Sequence, residues 1–163
     1  MKRDLISMLD VKDDVEKIID LSIDLKKKSK KGQSIELLKG KTLGMIFEKS
    51  STRTRVSFEV GMTKLGGHAV FLSKNDIQLG RGETIEDTAI VLSRYVDIIM
   101  YRAMSNKAMK GLAKNSSVPV INGLDDKEHP CQIVTDLMTI KEHKGTLKGL
   151  NLVYIGDGRN NMN

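Results

Sequence analysis

Cysteine, aromatic residues and long apolar runs are all scarce in this 163-residue chain, and each scarcity removes a class of protein. The single cysteine, Cys131, cannot form an internal disulfide, and with only three histidines a Cys/His zinc site has almost no basis. That pattern fits a reducing, cytoplasmic setting. No apolar run approaches the roughly 18 residues that span a bilayer. The start, MKRDLISMLD, is basic but lacks the apolar stretch of a secretory signal. Neither a membrane protein nor a secreted one is expected. Aromatic residues make up 4% with no tryptophan, which leaves little to stack on single-stranded bases.

What is present belongs to an ordinary globular protein: 39% hydrophobic and 29% charged residues, enough for one domain with a sizeable core. The 27 basic and 21 acidic residues leave a net charge of +6. A nucleic acid, a membrane surface or a small anion could use that excess, and a lysine-rich solubilising surface is the plain alternative. The run Lys26 to Lys31 has no aromatic and ends at Gly32, as does the solvated C-terminal end of a helix.

Periodicity gives alternating helices and strands. Val15, Ile18, Ile19 and Leu25 recur at helical spacing between Asp13, a candidate N-cap, and Lys30. Thr42–Phe47 reads as a buried strand, Thr52–Leu65 as a helix closed by Gly66-Gly67, and His68–Leu72 as a strand. Ser73–Gly82 reads as a mobile polar loop. A helix through Ile85, Ala89, Leu92 and Val96 precedes a strand at Asp97–Tyr101. A helix through Ala108–Ala113, a strand at Val118–Ile121, a helix through Ile133–Met138 and a fifth strand at Asn151–Ile155 complete the series. This alternation predicts an α/β fold, a parallel sheet with helices on both faces, and ligands beyond the carboxyl ends of the strands.

The turns there hold the candidate residues. Ser51 or Thr52 can cap the helix that follows the first strand, but Arg53 and Arg55 place cations at its positive pole. Each such cation costs about 0.3–1 kcal/mol unless an anion neutralises it, and a phosphate there would accept the free N–H groups, the hydroxyls and a guanidinium fork. Arg53 is the expected anion contact, with Arg55 as structural support. No GxxxxGK[ST] loop exists, and Gly156-Asp157-Gly158 lacks the third glycine of a dinucleotide fingerprint. Arg102 closes the third strand, where an ordinary surface arginine is the plain alternative. Beyond Asn122-Gly123-Leu124 come His129, Pro130, Cys131 and Gln132, where an imidazole and an amide could read a carbonyl oxygen and an NH2 group together. A thiol-nucleophile role for Cys131 has no third orienting group behind it.

Ser51-Thr52-Arg53-Thr54-Arg55 resembles the SxRTR signature of carbamoyltransferases, and His129-Pro130-Cys131-Gln132 their HPxQ signature. Phe47-Glu48-Lys49, Ile77-Gln78-Leu79-Gly80, Tyr101-Arg102, Asn122-Gly123-Leu124 and Gly156–Met162 resemble the ornithine branch of that family. The aspartate branch, which shares a GETxxDT-like stretch, is the runner-up. The resemblance implies transfer of a carbamoyl group from carbamoyl phosphate to the δ-amine of L-ornithine, with no metal or organic cofactor. Ser51, Thr52, Arg53 and Thr54 would hold the phosphate. Arg102, His129 and Thr54 would polarise the carbonyl oxygen, Gln132 would accept from the NH2 group, and the backbone of Pro130 and Cys131 would border the pocket. Gln78 would reach the site of a neighbouring subunit in a homotrimer, and Asn161 would contact ornithine. The division implied is a carbamoyl phosphate-binding domain over residues 1–148, with 149–163 opening an ornithine-binding domain, the chain being an N-terminal fragment inactive on its own. A basic, non-catalytic nucleic-acid-binding domain is the alternative from a different class; it predicts steeply salt-dependent binding.

Overall fold

In chain order the elements are α1 (Val15–Lys30), β1 (Thr42–Phe47), α2 (Thr52–Lys64), β2 (His68–Ser73), α3 (Ile85–Leu92), β3 (Ile98–Arg102), α4 (Asn106–Asn115), β4 (Val120–Leu124) and α5 (Pro130–Lys144). The computed structural model describes residues 2–79 and 81–155. The strands form one parallel sheet in the order β2-β1-β3-β4. The chain therefore starts in the middle, moves out to β2 and returns to the other side of β1. This places a topological switch point between β1 and β3.

Period-two alternation divides the core between the two faces of the sheet. Leu43, Met45 and Phe47 of β1 and Met100 of β3 meet Phe58 and Met62 of α2 on one face. Ile46, Ile99, Tyr101 and Val120 meet Ala89 of α3 and Met109 and Leu112 of α4 on the other. Arg102 shares the parity of Met100, so its side chain belongs to the α2 face. Helix α1 lies against α5, tied by Lys26–Glu142 and Lys141–Asp20 ion pairs, each 2.7 Å. Helix α2 ends at Gly66 (φ +81°), whose N–H donates to Thr63 O at 3.1 Å while Gly67 N–H donates to Met62 O at 2.9 Å. This paired closure needs a left-handed residue, which glycine supplies without strain.

Four expectations are corrected. Helix α1 begins at Val15 with Asp14, not Asp13, at the N-cap, and the Asp14 carboxylate takes Arg3 (2.5 Å) and Lys17 (2.9 Å) instead of the helix N–H groups. Helix α3 ends at Leu92, short of the Val96 that its periodicity included, and in the polar loop after β2 Leu79 is buried and Ile77 packs on the core. Strand β4 starts two residues later than expected and includes Asn122-Gly123-Leu124, which the sequence had placed in a turn. Finally, Asn151–Ile155 forms no strand. Leu152, Val153 and Ile155 are 74%, 78% and 94% exposed. An apolar run becomes a strand only where a neighbour takes its backbone donors and acceptors, and among the described residues none does. No helix among them is long and apolar enough to cross a membrane.

Candidate anion and carbonyl site

Ser51 adopts extended backbone (φ −160°) and caps α2, its Oγ accepting from Thr54 N–H at 3.3 Å. The same hydroxyl donates to Thr54 Oγ1 at 3.0 Å. No acidic residue occupies the first turn, while Arg53 is exposed and forms no ion pair among the described residues. A helix start with free N–H groups and an unneutralised arginine is set up for an anion. Arg55 turns elsewhere. Its guanidinium lies 3.6 Å over the Phe71 ring and pairs with Glu59 at 3.2 Å, the supporting role expected of it.

Arg102 reaches the same helix start from the end of β3. Its Nη1 donates to Thr54 Oγ1 at 3.3 Å and to Gly123 O at 3.4 Å, both long, while its buried Nε has no partner. No carboxylate pairs with it among the described residues, and burial lowers its pKa. The strand end is held from behind by Glu48. One carboxylate oxygen accepts from Tyr101 OH and Met104 N–H at 2.7 Å each, and Glu48 N–H donates to Arg102 O at 3.0 Å. Burial, then the Glu48 hydrogen bond, pushes the Tyr101 phenol far above its usual range, so it stays a donor.

Between β3 and β4 the register slips at Gly123. The extra residue is a β-bulge, a device that re-aims side chains beside functional sites. A Cβ at Gly123 would lie 2.5 Å from the Met100 sulfur, so a larger residue there would have to displace the Met100 side chain. Asn122 is fully buried and serves the scaffold: its Nδ2 donates to Ile6 O (2.9 Å) and Asp125 Oδ2 (3.0 Å). Asp125 then builds the turn into α5. Its Oδ1 accepts from Lys127 and Glu128 N–H at 2.7 and 2.8 Å, and its Oδ2 also accepts from Asn106 Nδ2 at 2.8 Å. Leu124 reaches φ +142° to make the turn.

That turn delivers His129 to the N-cap of α5, with Pro130 buried at the first helical position. His129 Nδ1 is buried without a partner. Burial first, and Arg102 second, lower its pKa, with Asp136 partly opposing them, so the ring is neutral at pH 7. Because the unfolded chain keeps the ordinary value near 6.5, it binds more protons than the folded one between the two pKa values. Stability is expected to fall as pH drops below about 6.5, and this slope should shrink in His129→Gln. Urea titrations from pH 7.5 to 5 check it; an unchanged slope in the variant would remove His129 as its source.

Arg53, Thr54, His129, Cys131 and Gln132 line one cleft of about 220 Å³. Arg102 joins it through Thr54. Ser51 and Thr52 face an adjoining hollow of about 410 Å³ that Arg55 and Phe71 also line. The Cys131 thiol donates to Asn122 O at 3.5 Å, and burial pushes its pKa up to about 11, which leaves almost no thiolate for nucleophilic chemistry at pH 7. Gln132 Nε2 donates to Asp136 Oδ1 at 2.9 Å. Gln78 is exposed and lines neither cleft, while Asn161 and Gly156-Asp157-Gly158 lie outside the described residues. Glu48, Asp125 and Asp136 are the site's supports that sequence reasoning missed. Only Asp136 left a readable signal, its i,i+4 spacing from Gln132 on one helix.

Residues 3–142 match the aspartate/ornithine carbamoyltransferase, carbamoyl-P binding domain. An ornithine carbamoyltransferase from Oceanobacillus iheyensis is 60% identical over 159 residues, covering 97% of this chain and 49% of that protein. A catabolic ornithine carbamoyltransferase from Thermoplasma volcanium is 57% identical over 162 residues, covering 99% of this chain and 52% of that protein. The solved ornithine carbamoyltransferase of Pyrococcus furiosus superposes with a TM-score of 0.94 at 55% identity, covering 98% of this chain and 51% of that one. The chain thus spans about half the length of the curated relatives it matches. With the arginine-bearing start of α2, Arg102 and the His129–Gln132 segment gathered at the carboxyl ends of the strands, the chain belongs to the aspartate/ornithine carbamoyltransferase family.

Proposed function

We propose that the cleft binds carbamoyl phosphate and that the whole protein transfers its carbamoyl group to the δ-amine of L-ornithine, giving L-citrulline and phosphate. The observation that carries this is the pair of buried nitrogens without partners, Arg102 Nε and His129 Nδ1, beside a helix start that already favours an anion. Leaving a buried polar group unpaired costs about 1–3 kcal/mol, so two of them in one site point to a ligand that satisfies them. The names of the relatives favour ornithine over aspartate as acceptor.

In this reading Ser51, Thr52, Arg53 and Thr54 hold the phosphate group. Arg102, His129 and the Thr54 hydroxyl face the carbonyl oxygen, and Gln132 accepts from the NH2 group. The neutral δ-amine attacks the carbonyl carbon, a C–N bond forms, negative charge gathers on the oxygen, and the C–O bond to phosphate breaks as the departing phosphate takes a proton from the amine. Donors fixed beforehand around that oxygen stabilise the transition state more than the ground state. The attacking amine is itself the nucleophile, so no covalent enzyme intermediate arises. Residues 1–148 form the carbamoyl phosphate unit, and 149–163, with Asn161, belong to the ornithine side. Gln78, held outward between packed Ile77 and buried Leu79, serves a neighbouring subunit of a homotrimer. A cytoplasmic setting fits the single cysteine.

Calorimetry tests the binding step. Carbamoyl phosphate should bind this chain more tightly than inorganic phosphate does, because only the former engages Arg102 and His129. Equal affinities, or binding of duplex DNA in preference to either, would overturn the reading.

A further inference from the structure

We propose that Asp136 is a positioning residue that fixes which end of the Gln132 amide faces the cleft, and so makes the site select a ligand that carries an NH2 group. The inference rests on the carbamoyl phosphate reading above and names a source of its specificity.

Gln132 and Asp136 sit one turn apart on α5, and Gln132 Nε2 lies 2.9 Å from Asp136 Oδ1. An ionised carboxylate only accepts hydrogen bonds, so only the NH2 end of the amide can face it. The Gln132 carbonyl oxygen is then left without an internal donor among the described residues, on a side chain that lines the cleft. Arg53 lines the same cleft and Arg102 reaches it through Thr54, both as donors only, while the Thr54, Ser57 and Thr135 hydroxyls and His129 can donate or accept. Two guanidinium groups beside an amide oxygen that can only accept match a ligand that is anionic, carries a carbonyl oxygen and offers an NH2 group. An acetyl group in the same place would leave the Gln132 oxygen facing a methyl. A site that offers an acceptor to an NH2 group disfavours an analogue that lacks one, because the bound ligand covers that acceptor without pairing it.

Asp136 does not line the cleft, so it acts through Gln132 and not on the ligand. Its charge also reaches His129, where it opposes Arg102. Without Asp136 the amide is free to turn over, and its NH2 end would then meet donors and the ligand's own NH2 group. Asp136 is exposed, nearly two turns into α5, so substitution there should leave the core undisturbed.

The experiment is calorimetric titration of carbamoyl phosphate and of acetyl phosphate into the wild-type chain, Asp136→Ala and Asp136→Asn. The wild type should prefer carbamoyl phosphate by about tenfold or more, the scale of one stranded polar group. Asp136→Ala should lose most of that preference through weaker carbamoyl phosphate binding, with acetyl phosphate held within about twofold. Asp136→Asn keeps an acceptor oxygen and should recover part of it. A wild-type preference that survives intact in Asp136→Ala, or a variant that weakens both ligands equally, overturns the inference while the carbamoyl phosphate reading stands. A wild type that binds neither ligand, or both alike, overturns that reading and this inference together.

Discussion

Arg102→Met should lose at least 100-fold in affinity for carbamoyl phosphate and yet melt higher than the wild type. The two effects share one cause. In the free protein the guanidinium is half-buried, has no carboxylate partner among the described residues, holds two long hydrogen bonds and leaves Nε unpaired. Replacing an uncompensated, partly buried charge with an apolar side chain of similar length is commonly neutral or stabilising. Strained functional positions are where such gains are found. A gain of about 1 kcal/mol raises Tm by roughly 2–4 °C in a domain of this size. In the proposed complex the same side chain would make charge-assisted hydrogen bonds, each contributing about 1.5–3 kcal/mol, and two of them would account for the lost affinity. Arg102→Lys should recover only part of the binding, since an ammonium restores the charge but not the planar fork. Calorimetry and thermal melts on the same samples check both halves. A lower Tm in Arg102→Met would mean that the residue supports the fold, and its role in the site would need another explanation.

Arg53→Ala should behave differently. Arg53 is exposed and without an ion pair among the described residues, so its removal should leave Tm unchanged or slightly raised, because a cation at a helix N-terminus is itself unfavourable. Affinity should fall by about 100-fold for carbamoyl phosphate and by a similar factor for inorganic phosphate, since Arg53 is assigned to the group the two ligands share. The Arg102 change should instead weaken carbamoyl phosphate far more than phosphate. These opposite patterns separate the phosphate end of the site from the carbonyl end. If Arg53→Ala affects carbamoyl phosphate alone, the two ends have been assigned the wrong way round.

The strands and helices that a single apolar pattern defines were legible in the sequence. Thr42–Phe47 is buried from both sides and appears as one unbroken apolar run. The start of α2 follows from Ser51 and the two arginines after it. Strand β4 was misplaced because its interior holds Asn122 and Gly123, residue types that mark turns. Asn122 is buried only because Ile6 and Asp125 satisfy its amide, and Ile6 lies 116 residues away. Gly123 sits at a bulge against the Met100 side chain of the neighbouring strand. Neither fact leaves a local trace. The opposite error occurred at Asn151–Ile155, where the pattern of a strand is present but, among the described residues, no strand pairs with it. For the site, the residues proposed to touch ligand could be found by type and motif, whereas Glu48 acts through the distant Met104 N–H, and Asp125, besides closing its own turn, takes the Asn106 amide that only the fold brings near.

The central claim is that the Arg102 guanidinium, with its Nε unpaired, and the His129 ring, with its Nδ1 unpaired, receive the carbonyl oxygen of carbamoyl phosphate. Nitrogen-15 NMR of the Arg102 Nε–H and the His129 ring tests it most directly. Saturating carbamoyl phosphate should shift both signals and slow the exchange of the Arg102 Nε proton, while inorganic phosphate at saturation should move them much less. Carbamoyl phosphate that binds at the α2 start with both signals unmoved would contradict the account.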